Sequence, residues 1–127
     1  MPDPLEQVTP LILTYNEEAN INRTLTGVAW ARRIVVVDSG STDRTLELLA
    51  AWPQVQVFQR RFDSHARQWN YGLAQISDGW VLSLDADYQL TSELRAEIRS
   101  VLKQPGLPAG YAIAFQYCVF GRPLRGN

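Results

Sequence analysis

The chain has 127 residues, 46% of them hydrophobic, with 12 Lys plus Arg set against 13 Asp plus Glu. This is the composition of a folded chain and excludes a disordered one. At about 100 to 200 residues per domain, residues 1–127 suit a single domain or part of one. A formal charge of −1 leaves no electrostatic footprint for a nucleic-acid polymer or an anionic membrane surface, while a small anionic ligand stays open.

In chain order, Val8 to Thr14 reads as a first strand, and Pro10 places it at an edge or delays its pairing until after the proline. Asn16 is the expected N-cap of a first helix. Glu17 and Glu18 would lie in its first turn, and Ile21, Leu25, Val28 and Ala29 on its apolar face. Ile34 to Val37 is a β-branched run suited to a strand buried on both faces. Ser41 or Thr42 would cap the next helix, with Leu46, Leu49 and Ala50 inward and Trp52-Pro53 as its stop.

Val55 to Phe58 is a third, shorter strand. Ser64 to Ile76 follows, with Trp69, Leu73 and Ile76 at helical spacing, and Asp78-Gly79 makes a turn. Trp80 to Leu84 is the fourth strand. Thr91 would cap a last helix with Leu94, Ile98, Val101 and Leu102 inward, ended by Pro105-Gly106, and Gly110 to Phe120 reads as a final strand. Strands alternating with helices argue for an α/β fold with a mostly parallel sheet.

Cys118 stands alone, which argues against an internal disulfide, a thiolate metal cluster and redox chemistry, and favours a reducing, cytoplasmic setting. No apolar run approaches the ~20 residues that span a bilayer, and Met1 to Glu6 lacks the basic and apolar regions of a signal peptide.

Ligands of open α/β sheets bind at the carboxyl ends of the strands. There the sequence places Thr14-Tyr15-Asn16-Glu17, Asp38-Ser39-Gly40-Ser41-Thr42-Asp43 and Asp85-Ala86-Asp87, three acidic loops on one rim. If the backbone is still extended, Asp85 and Asp87 project from the same face, a spacing that suits a hard cation completing its shell with water and phosphate oxygens. The simpler reading of the isolated pair is a solvated strand end with turn-forming Asp.

Asp38 is suited to accept hydrogen bonds from a base or ribose, and Gly40 to admit a ligand close to the backbone. An Asx or Ser turn opening the next helix explains the same residues. Neither Gly-x-Gly-x-x-Gly after the first strand nor Gly-x-x-x-x-Gly-Lys-Ser occurs, so a nucleotide would be bound in another way. His65 reads first as a capping or solvated histidine and second as a phosphate donor. Arg67 is equally a cation facing a diphosphate and a surface residue. Asp43, Glu47, Glu93 and Glu97 are expected on helix faces as solvated charges.

Taken together, Thr14 to Glu18, Val35 to Thr45 and Leu82 to Asp87 resemble, in order and spacing, family-2 glycosyltransferases, closest to bacterial members that build lipopolysaccharide or exopolysaccharide. The resemblance runs from about Leu11 to the end of the chain. It implies a GT-A fold, a nucleotide-diphospho-sugar donor, Mg²⁺ or Mn²⁺, and inverting transfer to an acceptor hydroxyl. By resemblance, Thr14, Asn16 and Glu17 surround the nucleoside and Asp38, with Ser39 and Gly40, meets the base or ribose. Asp87 is the implied metal ligand, and Asp85 contacts ribose or the metal through water. Trp69 stands before Asn70 where many relatives carry a basic residue, which leaves Arg67 as the substitute donor contact.

The family's general base has no counterpart before Asn127. The expectation is therefore a C-terminally shortened chain that supplies donor binding. Later segments would bring the base, the contacts to a saccharide or lipid-linked acceptor, and any peripheral attachment to the inner face of the cytoplasmic membrane. Two other readings stay beside it: a non-catalytic nucleotide-sugar-binding fragment acting with a partner chain, and a nucleotidyltransferase.

Overall fold

The structure, a computed structural model, describes residues 3–104 and, of the remainder, the backbone of 118–119 and 122–123. A 3-10 turn, Pro4–Gln7, leads into β1 (Val8–Thr14), α1 (Ile21–Gly27), β2 (Ile34–Asp38), α2 (Thr45–Ala50), β3 (Val55–Gln59), α3 (His65–Ala74), β4 (Trp80–Asp85) and α4 (Ser92–Leu102). β5 (Cys118–Val119) and β6 (Arg122–Pro123) form a separate antiparallel pair. The rest of the expected strand from Gly110 to Phe120, and the Pro105-Gly106 stop, lie outside the described residues.

The four-stranded sheet has the order β3-β2-β1-β4, with every pairing parallel. β1 is thus internal. Pro10 sits opposite Leu82 of β4, whereas pairing with β2 starts only at Leu11, so on the β2 side the ladder begins just past the residue that has no N–H to give. All five residues of β2 are buried, as expected of a β-branched strand covered on both faces.

Alternation within the strands makes two cores. Ile12, Ile34, Val36, Leu82 and Leu84 join Ile21, Leu25 and Val28 of α1 and Leu49 of α2 on one face, with Leu94, Ile98 and Leu102 of α4 packed against them. Leu11, Val35 and Val37 face the other way, under Trp69 and Tyr71 of α3 with Leu13, Phe58, Ile76 and Val81. Chirality accounts for the split. Right-handed crossovers place α1 and α2 on one face while the chain moves outward from β1 to β3, and put α3 on the opposite face when it returns to β4.

α3 lies close to the sheet because Gly72 lets it. A Cβ there would come within 2.5 Å of Leu11 Cδ1 and 3.2 Å of Val37 Cγ2. The buried residues of this helix are Gln68 and Gly72, whereas Leu73, expected inward, is 42% exposed. Ala29 and Ala50 are likewise exposed, while Thr24 and Thr45 take buried helix positions.

Helix starts differ from expectation at two of the loops. α1 begins at Ile21, not beside Asn16. The Glu17 carbonyl accepts from the Asn20 and Ile21 amides, and Asn16, at φ 52°, turns toward the neighbouring loop. α2 starts at Thr45, and neither Ser41 nor Thr42 caps it. Arg44 occupies the cap position, and Asp43, just before it, accepts from the Thr45 amide at 2.9 Å and from the Thr45 hydroxyl. Ser64 and Thr91 cap α3 and α4 through the Arg67 and Leu94 amides.

Candidate functional site

The register of the sheet levels the strand ends. Thr14 is opposite Asp38, Leu13 opposite Asp85, and Asp38 opposite Gln59, so four carboxyl-terminal loops open on one rim. The strand order reverses at β1, between β2 and β4, the place where open α/β sheets bind ligands. A cleft of about 320 Å³ lies there. It is lined by Leu13, Thr14, Tyr15 and Glu17 from the end of β1, Val37 and Ser39 from β2, Phe62, His65 and Gln68 around the start of α3, and Asp85, Ala86 and Asp87 from β4.

The carboxylates of this region divide into two kinds. Asp38 is fully buried. Its Oδ1 accepts from Thr14 Oγ1 at 2.7 Å and Ser41 Oγ at 2.6 Å, and its Oδ2 accepts from the Gly40 and Ser41 amides, each at 2.9 Å. Four donors fill the acceptor sites of a carboxylate. Asp38 therefore folds the loop beneath the cleft, and Ser39, the next residue, faces it.

Gly40 permits the turn. Its φ of 102° disfavours any L side chain, and nothing stands within 4 Å of where a Cβ would be. Asn16 Oδ1 accepts from the Thr42 and Asp43 amides at 2.7 and 3.3 Å, while the Asn16 amide donates to Ser41 Oγ. The Glu17 amide donates to Thr45 Oγ1 and the Glu18 amide to Asp43 Oδ2. Burial pushes the Asp43 carboxyl up, but the bonds from Thr45 and Glu18 outweigh it and leave the group below its ordinary range. Asp43 is thus a clasp between two loops and not the solvated helix charge expected of it.

Asp85 and Asp87 are of the second kind. Both are exposed on either side of buried Ala86, both line the cleft, and among the described residues no hydrogen bond or ion pair reaches either carboxylate. Their backbone is pinned from below, where Thr24 Oγ1, fully buried in α1, donates to the Ala86 carbonyl at 2.7 Å. The described residues contain no group of three His, Cys, Asp or Glu able to hold a metal. Two free carboxylates fit a hard cation that takes its other ligands from water and phosphate, and do not fit a site built from protein alone.

Of the residues singled out in the sequence, Thr14, Glu17, Ser39, Asp85 and Asp87 line the cleft, and Asn16, Asp38 and Gly40 build the loops behind it. Arg67 is not a lining residue. Its guanidinium is 72% exposed and lies 3.2 Å from Asp63 Oδ2. Arg60 joins the same carboxylate at 2.9 Å, donates to Gln68 Oε1 and stacks over Tyr71. The Arg60 hydrogen bond, aided by Arg67, holds the Asp63 carboxyl far below the usual carboxylate range.

Phe62 and Gln68 follow no motif, and Tyr15 lies inside the Thr14 to Glu18 motif, which implies no role for it. Position at the carboxyl ends of β1 and β3 is the sequence cue that points to Tyr15 and Phe62.

Residues 11–116 match the family described as Glycosyl transferase family 2. The chain belongs to glycosyl transferase family 2. Its fold is the GT-A fold of that family, a parallel sheet flanked by helices. Among its relatives, this family-2 chain is 30% identical over 112 residues to the lipopolysaccharide core biosynthesis glycosyltransferase LpsC of Rhizobium meliloti (strain 1021), covering 84% of this chain and 41% of LpsC. It is 33% identical over 95 residues to the poly-beta-1,6-N-acetyl-D-glucosamine synthase of Staphylococcus aureus (strain COL), covering 67% and 23% of the two.

Among solved structures, S. aureus TarS 1-349 in complex with UDP-GlcNAc superposes with a TM-score of 0.66 at 25% identity, covering 76% of this chain and 31% of TarS. The family-2 chain thus spans well under half the length of these relatives. No helix among its described residues is long and apolar enough to cross a membrane.

Proposed function

We propose that this chain forms the donor-binding part of an inverting, metal-dependent glycosyltransferase that moves a sugar from a nucleotide-diphospho-sugar to an acceptor hydroxyl in surface-polysaccharide or lipopolysaccharide synthesis. The observation that carries this reading is the couple Asp85 and Asp87, whose carboxylates have no hydrogen bond or ion pair among the described residues, at the reversal point of a family-2 sheet. Carboxylates left without partners beside a buried, satisfied one are a feature that structure alone does not need. Asp85 and Asp87 would hold Mg²⁺ or Mn²⁺, which when bound supplies positive charge to offset that developing on the departing nucleoside diphosphate.

The chain's own residues do the rest of the binding. Thr14, Tyr15 and Ser39 form the wall at the ends of β1 and β2 and receive the nucleoside. Asp38 acts indirectly, since its four hydrogen bonds fix the loop that carries Ser39. The relatives' activities in core lipopolysaccharide and poly-N-acetylglucosamine synthesis, and the UDP-GlcNAc bound by TarS, favour a uridine donor and a saccharide or lipid-linked acceptor on the cytoplasmic side.

Calorimetry with UDP, GDP and ADP in the presence of Mn²⁺ tests the reading. One of them, UDP first, binds the wild type, EDTA abolishes or strongly weakens binding, and Asp87→Ala reduces affinity by at least about tenfold, the equivalent of ~1.4 kcal/mol. Nucleotide binding indifferent to both metal and Asp87 would falsify it.

A further inference from the structure

A diphosphate entering this cleft meets a wall of its own sign. Glu17, Asp85 and Asp87 line it, and among the described residues no Lys or Arg does. Two nearby arginines are engaged elsewhere, Arg60 on Asp63, Gln68 and Tyr71 and Arg67 on Asp63, and Arg61 is exposed and outside the lining. A cation between Asp85 and Asp87 can neutralise part of an incoming phosphate pair, but its far oxygens still need donors.

Among the described lining residues is His65, the first residue of α3, whose imidazole N–H is a donor suited to an anion. Among the described residues no hydrogen bond or ion pair reaches its imidazole. Its ring is held instead by an edge-to-face contact with Phe62, the centroids 5.1 Å apart and the planes at 75°. A histidine oriented by an aromatic neighbour, with both nitrogens unassigned, is ready to donate an N–H to an anion. Nor is it grouped with Asp85 and Asp87 as a set of metal ligands.

We propose that His65 is a phosphate-binding residue of the cleft, donating a hydrogen bond to the diphosphate of the nucleotide held by Asp85, Asp87 and their cation. The proposal rests on the reading of the cleft as a nucleotide-sugar site and adds to it a protein group from the start of α3. His65 then discriminates by phosphate number and is indifferent to the base.

The test compares UDP, UMP and uridine by calorimetry in Mn²⁺ on the wild type, His65→Phe and His65→Asn. His65→Phe keeps a ring against Phe62 and removes the donor, so packing and hydrogen bonding are separated, and His65→Asn restores a shorter donor. In His65→Phe, UDP affinity falls about tenfold while uridine affinity is unchanged, and His65→Asn recovers part of the loss.

UDP affinity equal to wild type in His65→Phe, or equal losses for UDP and uridine, overturns the proposal. These outcomes are distinct from a failure of the nucleotide reading itself, in which the wild type binds none of the three.

Discussion

Asp38 and Asp85 end β2 and β4, the strands on either side of β1, and have opposite fates. Asp38 is enclosed by Thr14, Gly40 and Ser41, which use all of its acceptor sites, whereas Asp85 and Asp87 line the cleft with no partner among the described residues. Removing Asp38 leaves the buried Thr14 hydroxyl and three part-buried donors of Gly40 and Ser41 without their acceptor, the buried one costing about 1 to 3 kcal/mol if it finds no replacement and the others less where water reaches them. Asp38→Ala is therefore expected to lower denaturant stability by ~2 kcal/mol or more and to weaken nucleotide binding with it. Asp85→Ala leaves stability within about 0.5 kcal/mol of wild type, and urea unfolding of the two variants checks the contrast. The sequence pattern placed both acids on the rim but not their difference. Burial of Asp38 depends on which neighbours turn their hydroxyls inward, and Thr14 lies 24 residues away in the chain. For the same reason Asn16 looked like a helix cap, although its oxygen is taken by amides of the next loop.

Elements were more legible than contacts. Apolar runs located all four strands of the sheet within a residue or two, because β-branched runs ending in turn formers have few alternatives. The faces of the short helices were less so. Of the apolar residues of α3 at helical spacing, Trp69 packs on the sheet but Leu73 is exposed, and the buried positions go to Gln68 and Gly72, since only a residue without a Cβ lets the helix approach Leu11. Gly72→Ala forces Leu11 and Val37 to move and is expected to cost about 1 to 3 kcal/mol in spite of alanine's better helix propensity, as chemical denaturation would register. The entry to α3 makes a pH-dependent contribution. Asp63 has its folded pKa depressed, first by the Arg60 hydrogen bond, so its stabilisation is complete above the ordinary carboxylate value and is lost as pH falls below about 4 toward the folded one. The stability difference between wild type and Asp63→Asn should be flat from pH 7 to 5 and shrink below pH 4.

At the scale of the whole molecule, one topological feature gathers the site. Because β4 returns to the free side of β1, loops separated by some 70 residues in sequence meet where the strand order reverses. Resemblance made that rim legible through Thr14 to Glu18, Val35 to Thr45 and Leu82 to Asp87, and family membership supports it. The contribution of Phe62, between β3 and α3, was not legible, since it follows no motif, and His65, the first residue of α3, reads first as a capping or solvated histidine and only second as a phosphate donor. The central claim is that a cation sits between Asp85 and Asp87 when nucleotide is bound. Paramagnetic broadening by Mn²⁺ in the UDP-loaded protein, followed in amide NMR spectra, tests it most directly. Signals of Asp85, Ala86, Asp87 and Tyr15 should disappear first while those of Glu97 and Arg99 on α4 persist. Retention of the 85–87 signals at saturating UDP and Mn²⁺, or loss centred elsewhere, would contradict the account.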